Sequence, residues 1–339
     1  MFRMPVLIAV VLLLSLGGCA TSEPVDPVNF QIEPGRLPPA NVTLKIPGLT
    51  PCTDNPDHSL HLDATKPVHV LVHGCFGSSG QFRGLAQVLA FQGHQTVCFT
   101  YDDRARLARS ATELRRAIDL LAAQTQVPQI TVVGHSQGAL IAHKSLTELP
   151  IAAPSRYAEM RLVTISGPFD GIAVAKTCGR TSLYPLTLGL LPLSCYALTG
   201  AKWADITFSS RFIREPGTLV PQVSSYLKID TDERGSCRRL EGSRCLETDE
   251  VFSLAEQRNS LLEGDRRARR VEIRAGHVEI VGDKRVAPTK LIALLQEHGV
   301  IHPTAPERLS EFNRMLARVY QDDGILIRDL SSASFDSLR

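Results

Sequence analysis

The chain has 339 residues, of which 43% are hydrophobic and 21% are charged, and its formal net charge is +2. This composition is typical of a globular protein with a sizeable core, and the small net charge gives no indication of nucleic-acid binding. The basic run Arg266–Arg270 is more typical of a solvated surface edge than of a binding patch.

The N-terminus has the pattern of an export signal. Arg3 precedes an apolar run over residues 6–16, which is too short to span a bilayer, and two glycines stand directly before Cys19. This junction resembles the lipobox of bacterial lipoproteins, in which the cysteine is acylated and becomes the new N-terminus. The resemblance implies a signal peptide over residues 1–18, lipid attachment at Cys19 and a place in the cell envelope, and Ala20 favours the outer membrane. A plain cleaved signal peptide, with an incidental cysteine, is the alternative.

Seven further cysteines would then meet an environment in which disulfides persist. Two pairs are predicted disulfides: Cys237 with Cys245 in a polar loop, and Cys178 with Cys195 around an apolar segment. An odd thiol remains among the other three cysteines, Cys52, Cys75 and Cys98. No Cys or His spacing is that of metal ligands, so neither a metal site nor a cofactor is predicted.

The organisation of the chain is that of one folded domain between two polar ends. Residues 19–41 contain five prolines and predict a tether, and residues 323–339 form a polar tail. Within the domain, residues 42–322, two alternating stretches at 41–46 and 58–62 predict a leading antiparallel pair.

Short apolar strands then alternate with longer amphipathic helices. This alternation predicts an α/β fold with a mostly parallel central sheet that is covered by helices on both faces. The predicted strands are residues 68–72, 96–101, 130–133, 160–165, 224–229 and 271–274. The predicted helices are residues 82–91, 105–124, 288–298 and 306–320.

Ser136 is the centre of the stretch Gly134-His-Ser-Gln-Gly138, which follows a buried strand and precedes small residues at helical spacing. A serine on such a sharp strand-to-helix turn has its hydroxyl exposed for nucleophilic attack, and the two glycines let strand and helix pass closely. The pentapeptide alone is a weak signal, because chance supplies it in roughly one chain in ten of this length. The surrounding motifs therefore decide its meaning.

Two further motifs flank this serine in the chain. His73-Gly74 closes the first buried strand, and His277 follows a late strand and a glycine. With these motifs in this order, residues 68–277 resemble the α/β-hydrolase fold of the lipase and esterase branch. Subtilisin-like and chymotrypsin-like proteases place their serine, acid and histidine in other orders.

The resemblance implies a role for each motif. Ser136 would be the nucleophile and His277 its general base. The backbone N–H groups of Cys75 and Gln137 would form the oxyanion hole, with Phe76 as the alternative to Cys75 if the loop is displaced by one residue.

Three aspartates are candidates for the acid that orients the histidine. Asp249 lies in a segment that resembles the acid-bearing segment of bacterial lipases, twenty-eight residues before His277. Asp230 and Asp232 follow the strand at 224–229, where a short hydrolase would carry its acid. We expect Asp249, with Asp232 as the main alternative.

A cap or lid insertion is expected at about residues 171–215. Residues 182–193 are uncharged and mostly apolar, which is typical of a cover over an acyl pocket, although a buried core helix is the alternative. Residues 204–213 resemble a stretch of lipase-like enzymes, from which Phe208 and Ser209 depart.

Together these features predict an envelope-anchored serine hydrolase that acts on hydrophobic carboxylic esters or acyl lipids through an acyl-enzyme. An acyltransferase would use the same residues. A protease, or an envelope lipoprotein that kept the fold as a non-catalytic binding or assembly module, is a further alternative.

Overall fold

A computed structural model describes residues 40–75, 77–147, 158–173, 190–283 and 285–321. The expected signal peptide, Cys19, nearly all of the tether, Cys178 and the C-terminal tail lie outside these residues. Within the described ranges, none of the helices combines the length and the apolar character that crossing a bilayer would require.

The strands form one large sheet and two small ones. A leading antiparallel pair is formed by β1 (Val42–Leu44) and β3 (Leu60–Leu62), and β2 (Leu49–Thr50) joins the large sheet instead. The other strands of the large sheet are β4 (Val68–Val72), β5 (Gln95–Phe99), β6 (Gln129–His135), β7 (Glu159–Ile165), β8 (Val223–Asp232) and β11 (Ala268–Arg274). A separate hairpin consists of β9 (Cys237–Glu241) and β10 (Arg244–Thr248).

The large sheet has seven strands in the order β11-β8-β7-β6-β4-β5-β2. All neighbours are parallel except β2, which pairs antiparallel with β5. The predicted mostly parallel sheet is therefore confirmed. Since parallel strands need helical crossovers, both faces of the sheet are covered.

The helices lie between these strands and after the last strand. They are α1 (Arg83–Phe91), α2 (Leu107–Gln124), α3 (Gln137–Ser145), α4 (Leu190–Thr199), α5 (Trp203–Ile206), α6 (Arg211–Arg214), α7 (Leu254–Gln257), α8 (Ser260–Glu263), α9 (Thr289–Glu297) and α10 (Leu309–Tyr320). Helices α2 and α3 pack on one face, and α1, α9 and α10 pack on the other.

Along each strand, successive side chains point to opposite faces of the sheet and enter different parts of the core. In β4, Val70 and Val72 join the core under α2 and α3, whereas Leu71 joins the core under α1. Helix α2 buries Leu107, Leu114 and other residues at spacings of three and four, so it has one apolar stripe toward the sheet.

Two disulfides are present among the described residues. Cys237–Cys245 joins β9 to β10, as predicted, and Cys52–Cys98 ties the chain after β2 to β5. Of Cys52, Cys75 and Cys98, the cysteine that forms no disulfide is Cys75.

Candidate active site

The site lies at the carboxyl edge of the large sheet. Gly74, Ser136, Glu233 and His277 each stand one to three residues beyond the end of a strand, after β4, β6, β8 and β11 respectively. Because these strands are parallel, their carboxyl ends lie on one side of the molecule. The order of the chain therefore brings a serine, a carboxylate and a histidine to the same edge.

Ser136 adopts a backbone conformation that non-glycine residues rarely adopt, with φ 57° and ψ −125°. Such a residue costs on the order of 1–3 kcal/mol and persists only where its surroundings hold it. Here the N–H of Ser136 donates to the carbonyl of Ile165 at the end of β7, at 2.9 Å, and its own carbonyl accepts from Ala139 at 3.0 Å. The serine is thus fixed at the turn between β6 and α3.

The two glycines of the elbow make room for this turn. A Cβ at Gly134 would lie 2.4 Å from the carbonyl oxygen of Gly138, and a Cβ at Gly138 would lie 2.2 Å from the carbonyl oxygen of Val72. Both obstacles are backbone atoms and cannot rotate away. The sequence-based reason for the glycines, a close passage of strand and helix, agrees with these distances.

His277 is oriented by a glutamate. Its Nδ1 lies 2.8 Å from Oε1 of Glu233, the first residue after β8. Because that oxygen belongs to a carboxylate, Nδ1 carries the proton and Nε2 is left as the basic nitrogen.

The Glu233 side chain is fully buried, and its carboxylate is surrounded by donors. Besides His277, the hydroxyl of Thr231 donates to Oε1 at 2.9 Å, and the backbone N–H groups of Val251 and Phe252 both donate to Oε2 at 2.7 Å. Hydrogen bonds to the charged form offset the cost of burying an anion. This arrangement holds a fixed negative charge behind the imidazole.

The expected acid Asp249 does not occupy that position, which corrects the sequence analysis. Its carboxylate accepts the backbone N–H groups of Val278 and Glu279 at 3.0–3.2 Å, and its carbonyl accepts the N–H of His277 at 2.9 Å. Burial raises the pKa of this carboxyl above its usual value of 3.8. Asp249 therefore supports the backbone of the histidine loop, and Gly276 is needed there because its Cβ would lie 2.0 Å from Oδ2.

The alternatives Asp230 and Asp232 are also directed elsewhere. Strand β8 continues to Asp232, so both residues lie within it. Asp230 binds Arg270 on β11 at 2.6 Å, and Asp232 binds Arg234, whose side-chain hydrogen bond lowers the pKa of Asp232 to about 2. Since side chains alternate along a strand, the next residue, Glu233, lies on the opposite side from Asp232 and reaches the histidine.

The ring of His277 is enclosed by two aromatic neighbours. Phe252 meets it edge-on at a centroid distance of 4.9 Å, and the ring of His135 lies at 4.7 Å. His135 Nε2 also lies 2.9 Å from the carbonyl oxygen of His277, and burial lowers the pKa of His135 well below 6.5, so this imidazole is a neutral donor. No hydrogen bond joins Ser136 Oγ to His277 Nε2 here, a contact that commonly closes only when substrate binds.

The loop after β4 passes directly against the serine. A Cβ at Gly74 would lie 2.9 Å from Cβ and 3.4 Å from Oγ of Ser136. Cys75 follows Gly74 on this loop, and Gln137 is the first residue of α3, where backbone N–H groups have no partner within the helix. Cys75 and Gln137 as oxyanion donors remain a prediction, and Phe76 lies outside the described residues.

The expected cap is described only in part. Residues 174–189 lie outside the described residues, and α4, α5 and α6 follow them. Helix α4 exposes Leu193 and Tyr196, and its last turn is tied to the loop after β5 by Arg104, which donates to the carbonyl of Ala197 at 2.9 Å. Among the described residues, no three His, Cys, Asp or Glu side chains are grouped so as to hold a metal ion.

Comparison with known proteins finds a family match over the central strands and the elbow. Residues 67–155, from β4 through α3, match a family model described as alpha/beta hydrolase fold. The chain has an α/β-hydrolase fold. The matched span includes Gly74 and Ser136 and ends before Glu233 and His277.

Solved structures of hydrolases are similar to this chain at low identity. The mature lipase BlEst2 of Bacillus licheniformis is 15% identical, with 73% of this chain and 94% of that chain covered and a TM-score of 0.46. Esterase B of Lactobacillus rhamnosis is 12% identical, with 82% and 89% covered and a TM-score of 0.46. No curated protein sequence matches the chain.

Proposed function

We propose that this protein is a serine hydrolase of carboxylic esters, with Ser136 as nucleophile, His277 as general base and Glu233 as the acid that orients it. The observation that carries the proposal is the 2.8 Å contact between His277 Nδ1 and the buried Glu233 carboxylate, at the sheet edge where the Ser136 elbow stands. A buried acid, a histidine and a strained serine at one sheet edge are the three groups that a catalytic triad uses for acyl transfer.

The reaction follows from the tautomer of His277. Ser136 Oγ attacks the acyl carbon while its proton passes to His277 Nε2, and the resulting imidazolium is stabilised by Glu233 through Nδ1–H. The oxyanion accepts hydrogen bonds from the N–H groups of Cys75 and Gln137, each worth roughly 3–4 kcal/mol in the transition state. His277 then protonates the leaving alkoxide, and water resolves the acyl-enzyme by the reverse proton path.

Hydrophobic esters are the proposed substrates. The exposed side chains of Leu193 and Tyr196 on α4, beside the carboxyl edge of the sheet, support an apolar approach to the site. A series of p-nitrophenyl esters of rising acyl length, with a peptide substrate beside it, tests this. We expect kcat/KM to rise with chain length and the peptide to remain uncleaved.

The nucleophile is tested by labelling the full chain with a fluorophosphonate probe. We expect one labelled site per chain, lost in Ser136→Ala and kept in Ser145→Ala, which removes the hydroxyl of a buried serine at the other end of α3. Labelling that survives Ser136→Ala, or its absence in the wild-type chain, would contradict the proposal.

We also propose that the domain is tethered to the bacterial envelope through a lipid on Cys19. The lipobox-like junction at residues 16–19 supports this tether. Metabolic labelling with a fatty acid should mark the wild-type chain, and Cys19→Ala should abolish the label and release the protein from the membrane fraction. Unchanged membrane association of the unlabelled variant would contradict the tether.

A further inference from the structure

Lys202 is a buried cation beside the loop after β4. Its side chain is 1% exposed, and its ammonium lies 2.9 Å from Sγ of Cys75 and 3.3 Å from Oδ2 of Asp103. Burying an ammonium is costly unless its surroundings compensate for the lost water. The position of this charge is therefore a feature of the site that needs an explanation.

Asp103 connects Lys202 to the second side of the elbow. The carbonyl of Asp103 accepts from Nε2 of Gln137 at 3.2 Å, while its carboxylate accepts from Lys202. Lys202 contacts Cys75 on one side and, through Asp103, reaches Gln137 on the other. Cys75 and Gln137 are the two residues whose N–H groups bind the oxyanion in the proposed mechanism.

Tyr101 belongs to the same hydrogen-bond network. Its hydroxyl donates to the carbonyl of His73 at 2.7 Å, accepts from Gln137 Nε2 at 3.4 Å, and its ring stacks on His73 at 4.4 Å. Burial raises the pKa of Tyr101 well above 10, so the hydroxyl keeps its proton as a donor. The loop after β4 is thus held at its start by Tyr101 and at Cys75 by Lys202.

The backbone that carries Lys202 is itself anchored. Three residues on, the buried carboxylate of Asp205 accepts from the guanidinium of Arg106 at 2.6–3.0 Å and from the backbone N–H of Leu107 at 2.7 Å. Asp205 thereby fixes α5 to the first residue of α2. The backbone at Lys202 is therefore held in place, and this fixes the position of its ammonium beside Cys75.

We infer that Lys202 is a positioning residue of the oxyanion hole, which fixes Cys75 against Ser136 and places a positive charge beside the developing oxyanion. This inference rests on the proposed function. A desolvated charge acts more strongly on a nearby anion than a charge in water does, and small displacements of an oxyanion donor are costly to the rate. Lys202 should act on the chemical step and not on ester binding.

The test compares Lys202→Met, Lys202→Arg and Lys144→Met in the full chain, with a p-nitrophenyl ester and with fluorophosphonate titration of active sites. Lys144 is a half-buried lysine on α3 that bonds the carbonyl of Glu215 and serves as the control. For Lys202→Met we expect kcat per titrated site to fall about 10- to 100-fold with KM within about twofold. Lys202→Arg should recover most of the loss, and Lys144→Met should match the wild type.

Cys75 gives a second test if Lys202→Met does not fold. Cys75→Ala deletes the acceptor on the loop but leaves Lys202 beside Asp103, and it should lower kcat several-fold, whereas Cys75→Ser should restore it. A wild-type kcat per site in the folded Lys202→Met or in Cys75→Ala would overturn the inference, as would a loss explained by fewer titratable sites. If the wild-type chain is not labelled at Ser136, the proposed function fails; if it is labelled and the variants react equally fast, only the role of Lys202 fails.

Discussion

His277 Nδ1 and Glu233 Oε1 are 2.8 Å apart, and the other oxygen of the same carboxylate is held by the N–H groups of Val251 and Phe252. Glu233 precedes the β9–β10 hairpin and Val251 follows it. The Glu233 carboxylate therefore links the two ends of the hairpin while it orients the histidine. The disulfide Cys237–Cys245 closes the same hairpin further out. The support of the histidine and the folding of the hairpin are therefore linked.

The elbow should not tolerate even one added methyl group. Gly138→Ala would put a Cβ 2.2 Å from the carbonyl oxygen of Val72, and we expect a loss of about 3 kcal/mol or more in the free energy of unfolding. Gly264→Ala is the comparison, because an added Cβ there would lie 3.2 Å from the carbonyl oxygen of Ser260, a contact that a shift of a few tenths of an ångström relieves. Thermal unfolding measures both variants, and a Gly138→Ala variant as stable as Gly264→Ala would contradict the close passage.

The two described disulfides should contribute unequally to stability. Cys52–Cys98 closes a separation of 46 residues and Cys237–Cys245 one of 8. The loop-entropy argument then gives about 4 kcal/mol and about 2.5 kcal/mol, respectively. Urea unfolding of the two double alanine variants should show the larger loss for Cys52 and Cys98. The reverse order would show that native contacts of the hairpin outweigh loop closure.

Asp249 should make a pH-dependent contribution to stability. Burial raises the pKa of its carboxyl in the folded chain, so the folded state binds this proton more readily than the unfolded state does. Its contribution to folding is therefore greatest below the unfolded pKa and declines as pH rises through the folded pKa. Asp249→Asn carries no charge at any pH, so we expect the stability gap between wild type and variant to narrow from pH 4 to pH 7.

This gap is measured by urea unfolding at both pH values. A gap that widens toward pH 7 would mean that the hydrogen bonds from Val278 and Glu279 outweigh the burial of the ionised carboxylate. Asp283→Asn controls for general effects of pH on carboxylates. Like Asp249, Asp283 accepts two backbone N–H groups at its carboxylate, those of Arg285 and Val286.

Most of the fold could be predicted from the sequence because the buried parallel strands are short apolar runs with helical segments between them. Strand β2 was not predicted, since its two residues lie in a proline-bounded turn region and only their pairing with Cys98 and Phe99 makes them a strand. The sequence of the β9–β10 hairpin predicts a polar loop. Both strands are mostly exposed and contain arginines and glutamates, so they lack the alternation of apolar and polar residues that a half-buried strand shows.

The site could be predicted where backbone geometry leaves a sequence signature. The glycines on either side of Ser136 predict a close passage of strand and helix, and that passage is present. The acid left no such signature. Strand β8 runs three residues beyond its predicted end, and that extension decides which side chain reaches His277. The sequence resemblance points to aspartates at this position, but Glu233, directly after Asp232, is as able to accept the hydrogen bond from the imidazole N–H.

The role of Glu233 is the central claim, and the kcat of Glu233→Gln beside Asp249→Asn tests it most directly. Both variants are measured per active site titrated with a fluorophosphonate, so that partial unfolding does not count as lost catalysis. We predict that Glu233→Gln lowers kcat about 10²- to 10⁴-fold with little change in KM, because the amide disturbs the tautomer and cannot stabilise imidazolium. Asp249→Asn should lose stability but keep kcat per site within about tenfold. A near-wild-type kcat for Glu233→Gln together with a severe loss for Asp249→Asn would contradict the account.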